Sequence, residues 1–344
     1  MSGAPLENHW INITDGSVES LSITPAHASS RHLDDQSVLL PAAVNAHVHL
    51  ELSQLSAPLD VPSRTMSDWV AALLAFRRSA EYRAEEGLRQ ALRRPELLET
   101  TSAIADIVPP SAVCRLPSAV RHLPFTELIA WRKESVEDFP PHTVGLSPHA
   151  PHTVCPTLLE KVIDQKIPVA MHLAETLEEL QLLRNHTGPL LEMMRRADPD
   201  YDPKSVLIGK RPMDYLQLLA AAPSAFVIHG NYLDDEELRF LAAHRETMSV
   251  VYCPRSHAYF RHSAYPLQKM LDYDVRVLLG TDSLASTPDL SLVEEMRFAL
   301  KHHPTVSPDV IYRMGTWEGA SALHLLPEGI GTIQTGSPAL FAVL

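Results

Sequence analysis

Eight short runs of apolar, largely β-branched residues recur along this chain, and they constrain its fold more than any other feature. They are Val38 to Val44, Ser102 to Val108, Leu123 to Ala130, Thr143 to Ser147, Ile167 to Met171, Ala225 to Ile228, Met248 to Tyr252 and Val275 to Leu279. Each is apolar almost throughout, without the alternation of a half-exposed strand, which is what strands buried on both faces require. Segments of helical period separate them. Met66 to Arg78 carries Trp69, Val70, Leu73 and Leu74 at helical spacing behind the start signals Ser67 and Asp68. Pro156 takes a first-turn position after Cys155, ahead of Leu158, Leu159 and Val162. Thr176 to Leu183 and Asp234 to Ala243 carry acidic residues early, where the helix dipole favours them. Buried strands alternating with helices predict the α/β class and a (β/α)8 barrel, which typically takes about 250 residues plus appendages. The chain has 344.

The two ends fall outside this alternation. TDGSVESLSIT near the start and GTIQTGSPALFAVL at the end read as short strands with turns. Residues 1–40 and 328–344 are therefore expected to pair into a small β accessory domain. Residues 41–327 are expected to form the barrel. His186 to Ala222 is too long and too rich in proline for a simple connection, and is expected to add helices that cover the pocket.

A formal net charge of −13 argues against nucleic acid or an anionic membrane as partner, since phosphates need a basic face. A small-molecule substrate fits better. No uninterrupted apolar stretch is long enough to span a bilayer, and no basic segment followed by an apolar run opens the chain. Cys114, Cys155 and Cys253 are odd in number and far apart, unlike a disulfide framework. The expected compartment is the cytoplasm. The sequence is compatible with a homodimer.

His47 and His49 stand two residues apart in PAAVNAHVHLELS, so a strand would point both imidazoles to one side. With 18 histidines in the chain, such a pair would arise about once by chance. Position gives it weight. His172 ends the fifth run, His229 ends the sixth and Asp282 follows the eighth, and in this kind of barrel the C-terminal strand ends share one mouth. Three imidazoles and a carboxylate suit Zn²⁺ or Fe²⁺ with a position left for water. Glu175, three residues after His172 in HLAET, is placed to carry a proton.

The segments NAHVHLELS, GLSPHAPHTV, HLAET, HGNYL, YCPRSHAYF and LLGTDSLAS, in that order, resemble the strand-end motifs of the amidohydrolase superfamily. The resemblance is strongest to its cytosine deaminase-like and chlorohydrolase-like branch, and HVHLELS, the following DW, CPRSHAYF and TDSLAS are most similar to its aminodeoxyfutalosine deaminases. It covers the chain from about Val38 to the GTIQTG segment. It implies a distorted barrel, a small β-sandwich from both ends and one divalent metal. It also implies His47, His49, His172 and Asp282 as metal ligands, with Glu175 and His229 as proton carriers. The branch with two metals bridges them through a lysine on the fourth strand, where this chain reads TVGLSPHAP, so a single metal is implied.

The expected reaction is hydrolytic deamination of an aminated heterocycle or purine nucleoside-like compound. Asp282 or His229 takes the proton of the attacking water, and Glu175 protonates the ring nitrogen. His149 in SPHAP, Arg255 in CPRSHAYF and Glu51 after the His pair are the candidate substrate contacts, Glu51 as an acceptor for a ring N–H or sugar hydroxyl. Trp69 is read as helix core. Hydrolysis of a cyclic amide or removal of chloride would use the same site, and a non-catalytic scaffold is the alternative outside enzymes.

Overall fold

The computed structural model describes residues 6–24, 30–34, 36–112, 120–135, 139 and 143–344. Its centre is a sheet of eight parallel strands: β4 (Ala43–Val48), β5 (Thr101–Val108), β6 (Arg121–Leu128), β7 (Gly145–Pro148), β8 (Val169–Leu173), β9 (Ala225–His229), β10 (Met248–Tyr252) and β11 (Val277–Leu279). Strands neighbour in chain order, and a bridge between Val48 and Asp282 joins the last strand to the first. The expected (β/α)8 barrel is therefore the observed one. Every residue of β4, β5, β8, β9, β10 and β11 is buried, as continuous apolar runs demand.

Alternation sorts the side chains. Ala103, Ala105, Phe125, Ala170, Phe226 and Leu278 pack together inside the barrel, whereas Leu146, Val169, Met171 and Val250 join the core under the surrounding helices. The helices start where the sequence signals place them, with one change at the first. Met66–Arg78 is capped by Thr65, whose side chain accepts from the Asp68 N–H, and not by Ser67 or Asp68. Pro156–Asp164 follows Cys155, Leu177–Asn185 is capped by Thr176, and Asp235–Ala243 opens on a reciprocal Asp234–Glu237 capping box.

The first apolar run divides in two. Its beginning forms β3 (Leu39–Pro41), antiparallel to β12 (Phe341–Val343), while β4 starts at Ala43 and runs four residues past the end of the run. Polar residues are tolerated in that extension because Asn45 spans the closure of the barrel. It donates to Thr281 Oγ1 at 2.8 Å, and its Oδ1 accepts from the Thr281 and His47 N–H groups. β1 (Trp10–Thr14) and β2 (Ser17–Ser22) form a hairpin, tied to the C-terminal segment by Val18 N–H to Ser337 O and Ala339 N–H to Gly16 O. The termini thus supply two extra two-stranded sheets. Residues 186–222 contribute helices Pro189–Ala197, Pro203–Val206 and Pro212–Leu219, the first packed against the helices Leu177–Asn185 and Met66–Arg78. No helix among the described residues is long and apolar enough to cross a membrane. Cys114 lies outside the described residues, and Cys155 and Cys253 are buried free thiols.

Candidate metal centre

His47 and His49 reach one side by a local irregularity as well as by period two. Between Asn45 and Val48 the register of β4 on β5 shifts, so that Asn45 faces Ile104 and Val48 faces Asp106. Such a bulge re-aims side chains at a barrel rim. Val48 then packs outward with Leu50 and Leu88, leaving His47 to the mouth. The loop beyond is held by Asp106, whose Oδ1 accepts the Leu50 N–H at 3.0 Å while Oδ2 meets His122 Nε2 at 2.9 Å. Gly280 lets β11 approach, since a Cβ there would sit 2.9 Å from both Cβ and O of His47.

One ligand atom from each of His47, His49 and His172 lies within 4.8 Å of the others, and all three residues are buried. Neither ring nitrogen of His47 has a hydrogen-bond partner. Such orphans are costly in a protein interior and need a partner. The His172 Nδ1 is 3.0 Å from the His149 carbonyl, to which it donates, and this frees Nε2 for the centre. Burial lowers the pKa of His47 and His49 well below the usual imidazole value, with their neighbouring imidazoles adding to the effect. Neutral rings with free nitrogens are the form that binds a cation, so the residues fit a divalent metal.

Asp282 stands at the edge of this group, its Oδ1 3.9 Å from His47 Nε2. Its φ of 61° turns the side chain to the mouth. Three donors hold its carboxylate: Ser256 Oγ at 2.7 Å and Ser286 Oγ at 3.1 Å on Oδ2, and the Ser283 N–H at 2.7 Å on Oδ1. Without a cation, burial pushes Asp282 up and His172 down; for His172, Asp282, the His149 carbonyl and Glu127 oppose the shift.

His229 also has a positive φ, 68°, and its Nε2 lies 3.5 Å from Glu175 Oε1. Burial lowers the His229 pKa well below its usual value, and burial, with Asp282 and Glu179 adding, raises that of Glu175 well above the carboxylate range. Burial thus favours the neutral form of both groups in the pair. The turn carrying Glu175 depends on a residue that sequence reasoning missed. Glu179 accepts the Ala174 N–H at 2.8 Å and the Glu175 N–H at 3.1 Å, with Ala174 at φ 54°. Its position in HLAETLEE, four residues after Glu175, was the available signal.

Two candidate substrate contacts are placed otherwise than expected. Glu51 is fully buried, with Arg77 Nη2 at 2.5 Å from Oε1 and the Tyr82 hydroxyl donating to Oε2 at 3.2 Å. Its acceptor sites are turned to the protein. Arg255 donates through Nε to Glu295, through Nη1 and Nη2 to Asp289, and through Nη2 to the carbonyls of Asp289 and Ser291. A guanidinium so engaged tethers the short helix Pro254–Tyr259 after β10 to the helix Leu292–His302 and does not reach for a ligand. His149 remains at the site, half-buried, its ring 5.0 Å from that of His172 and its Nδ1 2.8 Å from Thr153 Oγ1. Trp69 is half-buried and donates to the Ala285 carbonyl at 3.0 Å, a packing role as expected.

Residues 38–344 match the amidohydrolase family. The chain belongs to that family. Among its relatives, an aminodeoxyfutalosine deaminase of Deinococcus radiodurans is 28% identical over 309 residues, 80% of this chain and 71% of that protein. A 5-methylthioadenosine/S-adenosylhomocysteine deaminase of Pyrococcus abyssi is 31% identical over 211 residues, 58% of this chain; the match spans only 44% of that protein's length. Among solved structures, the Helicobacter pylori aminofutalosine deaminase with methylthio-coformycin superimposes with a TM-score of 0.80 at 22% identity, covering 98% of this chain and 87% of that one. At that identity the likeness speaks for the fold of this amidohydrolase.

Proposed function

We propose that this amidohydrolase deaminates an aminated heterocycle carried in a purine nucleoside-like compound of the aminodeoxyfutalosine type. The observation that carries the reading is the meeting of Glu175 and His229, 3.5 Å apart, beside three imidazoles whose ligand atoms lie within 4.8 Å of one another. The relatives that are deaminases support it, and the aminodeoxyfutalosine deaminase matches most of this chain.

His47, His49, His172 and Asp282 are the proposed ligands of one Zn²⁺ or Fe²⁺, which when bound supplies Lewis acidity to water and substrate. Glu175, whose protonated form burial favours, donates to the ring nitrogen as water adds to the neighbouring carbon, then takes the proton of the added hydroxyl and passes it to the amino group, which leaves as ammonia as the C–N bond breaks and C=O forms. His229, neutral and hydrogen-bonding, takes a proton from water at Nε2 or steadies the developing oxyanion. Asp282 accepts the water proton alternatively, its carboxylate held in place by Ser256, Ser286 and Ser283. His149 contacts the substrate through Nε2, since Nδ1 is engaged with Thr153. Residues 1–40 and 328–344 serve as an accessory domain beside the barrel of 41–327. The free thiols of Cys155 and Cys253 support a cytoplasmic setting.

The test is ammonia release from aminated purine nucleosides and pterins by metal-loaded protein. Glu175→Gln should keep the metal and lose turnover by about 10³-fold, within the usual range for a general acid. Turnover of cyclic amides alone, or full activity in E175Q, would overturn the reading.

A further inference from the structure

β6 carries an acidic residue for which the reaction above has no use. Leu123 and Phe125 point into the barrel, so Glu127, two residues further, faces the same way one layer nearer the mouth. By the same alternation His172 follows Ala170, which places Glu127 at the level of the candidate metal centre. It is 7% exposed, yet among the described residues no donor is hydrogen-bonded to its carboxylate; the nearest cation, Arg77 Nη2, is 3.8 Å from Oε2. On the cross-strand neighbour of Glu127, the buried Ser147 hydroxyl also lacks a partner. A carboxylate with little exposure and no protein donor is open to a ligand that supplies donors.

Arg77 limits what that ligand is. It lies between Glu51 and Glu127, at 2.5 Å from the first and 3.8 Å from the second, and its Nε has no partner. Two carboxylates around one guanidinium disfavour an incoming anion. The longer gap suits a hydroxyl, which accepts from Nη2 while donating to Oε2; an adjacent hydroxyl can donate to the other carboxylate oxygen. Glu175, on the loop after β8, and His229, at the end of β9, by contrast lie beyond the strands next to β6. A substrate whose ring lies between them has its far end free to reach Glu127.

We propose that Glu127, paired with Arg77, is a specificity-determining residue that binds a neutral vicinal diol, such as that of a ribose, on the substituent of the substrate's heterocycle. This rests on the deaminase reading only for the identity of the ring; diol binding is separable from turnover. Calorimetry with the full-length, metal-loaded protein compares adenosine with 2′,3′-dideoxyadenosine, and ammonia release compares adenosine with adenine. The wild type should bind the diol-bearing nucleoside at least about 100-fold more tightly, a hydrogen-bonding site being intolerant of the missing hydroxyl. Glu127→Gln, checked for folding by its unfolding transition, should reduce that discrimination to within a few-fold. It should also lower the adenosine-to-adenine ratio of kcat/KM by a similar factor through KM. A wild type that binds both nucleosides equally, or neither, overturns the proposal, as does an E127Q variant that loses adenine and adenosine turnover alike. Diol discrimination without ammonia release from any amine would instead overturn the deaminase reading and leave Glu127 as assigned.

Discussion

Two buried polar clusters sit at the same mouth of the barrel and differ in how they are satisfied. Around Arg255 the donors and acceptors answer one another: Glu295, fully buried, accepts from both the backbone N–H and the Nε of Arg255, and Asp289 accepts from Nη1 and Nη2. Around His47 the opposite holds, with both ring nitrogens buried and unpartnered. A cluster closed on itself is structural, whereas one with open valences is completed by something from outside. Sequence alone made both look functional, because arginine and histidine after barrel strands suggest ligand contacts equally well.

Substitution should separate the two kinds of cluster most sharply at His47. Replacing it by Leu removes two orphaned nitrogens, so the metal-free protein should unfold no more easily than the wild type. Bound metal, measured by elemental analysis, should vanish and activity fall by at least about 10³-fold. A variant that lost stability but kept its metal would break the comparison.

Arg255→Met should do the reverse. Glu295 would be left buried and unpaired, at a cost of about 3–5 kcal/mol in urea unfolding, while metal content at low denaturant stays at the wild-type level. If R255M were stable but failed to hold metal or substrate, the Arg255 cluster would belong to the site after all.

Glu179 offers the smallest and most diagnostic effect, being satisfied yet serving the turn that carries Glu175. Burial raises its pKa from 4.5 to about 7, against the two backbone N–H groups that favour its charged form. The folded carboxyl therefore keeps its proton where the unfolded one has lost it. Stability contributed by this group is present below about pH 4.5 and is lost as the pH rises through about 7, by at most about 3 kcal/mol. Glu179→Gln should flatten urea-unfolding stability across that window. An unchanged slope would show that the group titrates normally.

What the sequence determined on its own was whatever depends on local chemistry. Continuous apolar runs required strands buried on both faces, Thr176 and Asp234 marked helix starts, and His172, Glu175, His229 and Asp282 were found because they end or follow such runs. Tertiary structure decided whatever depends on which distant groups meet. The split of the first run between β3 and β4 follows from pairing with Phe341–Val343, some 300 residues away, and the aim of His47 from a register shift against β5. Glu51 and Arg255 looked free because their partners, Arg77 and Glu295, lie 26 and 40 residues further on. Glu127 escaped notice because a glutamate in an apolar run shows no face until the alternation of β6 is fixed against its neighbours. Periodicity and capping are written within a few residues, whereas the pairing of buried charges is set by packing between strands that only the closed barrel brings together.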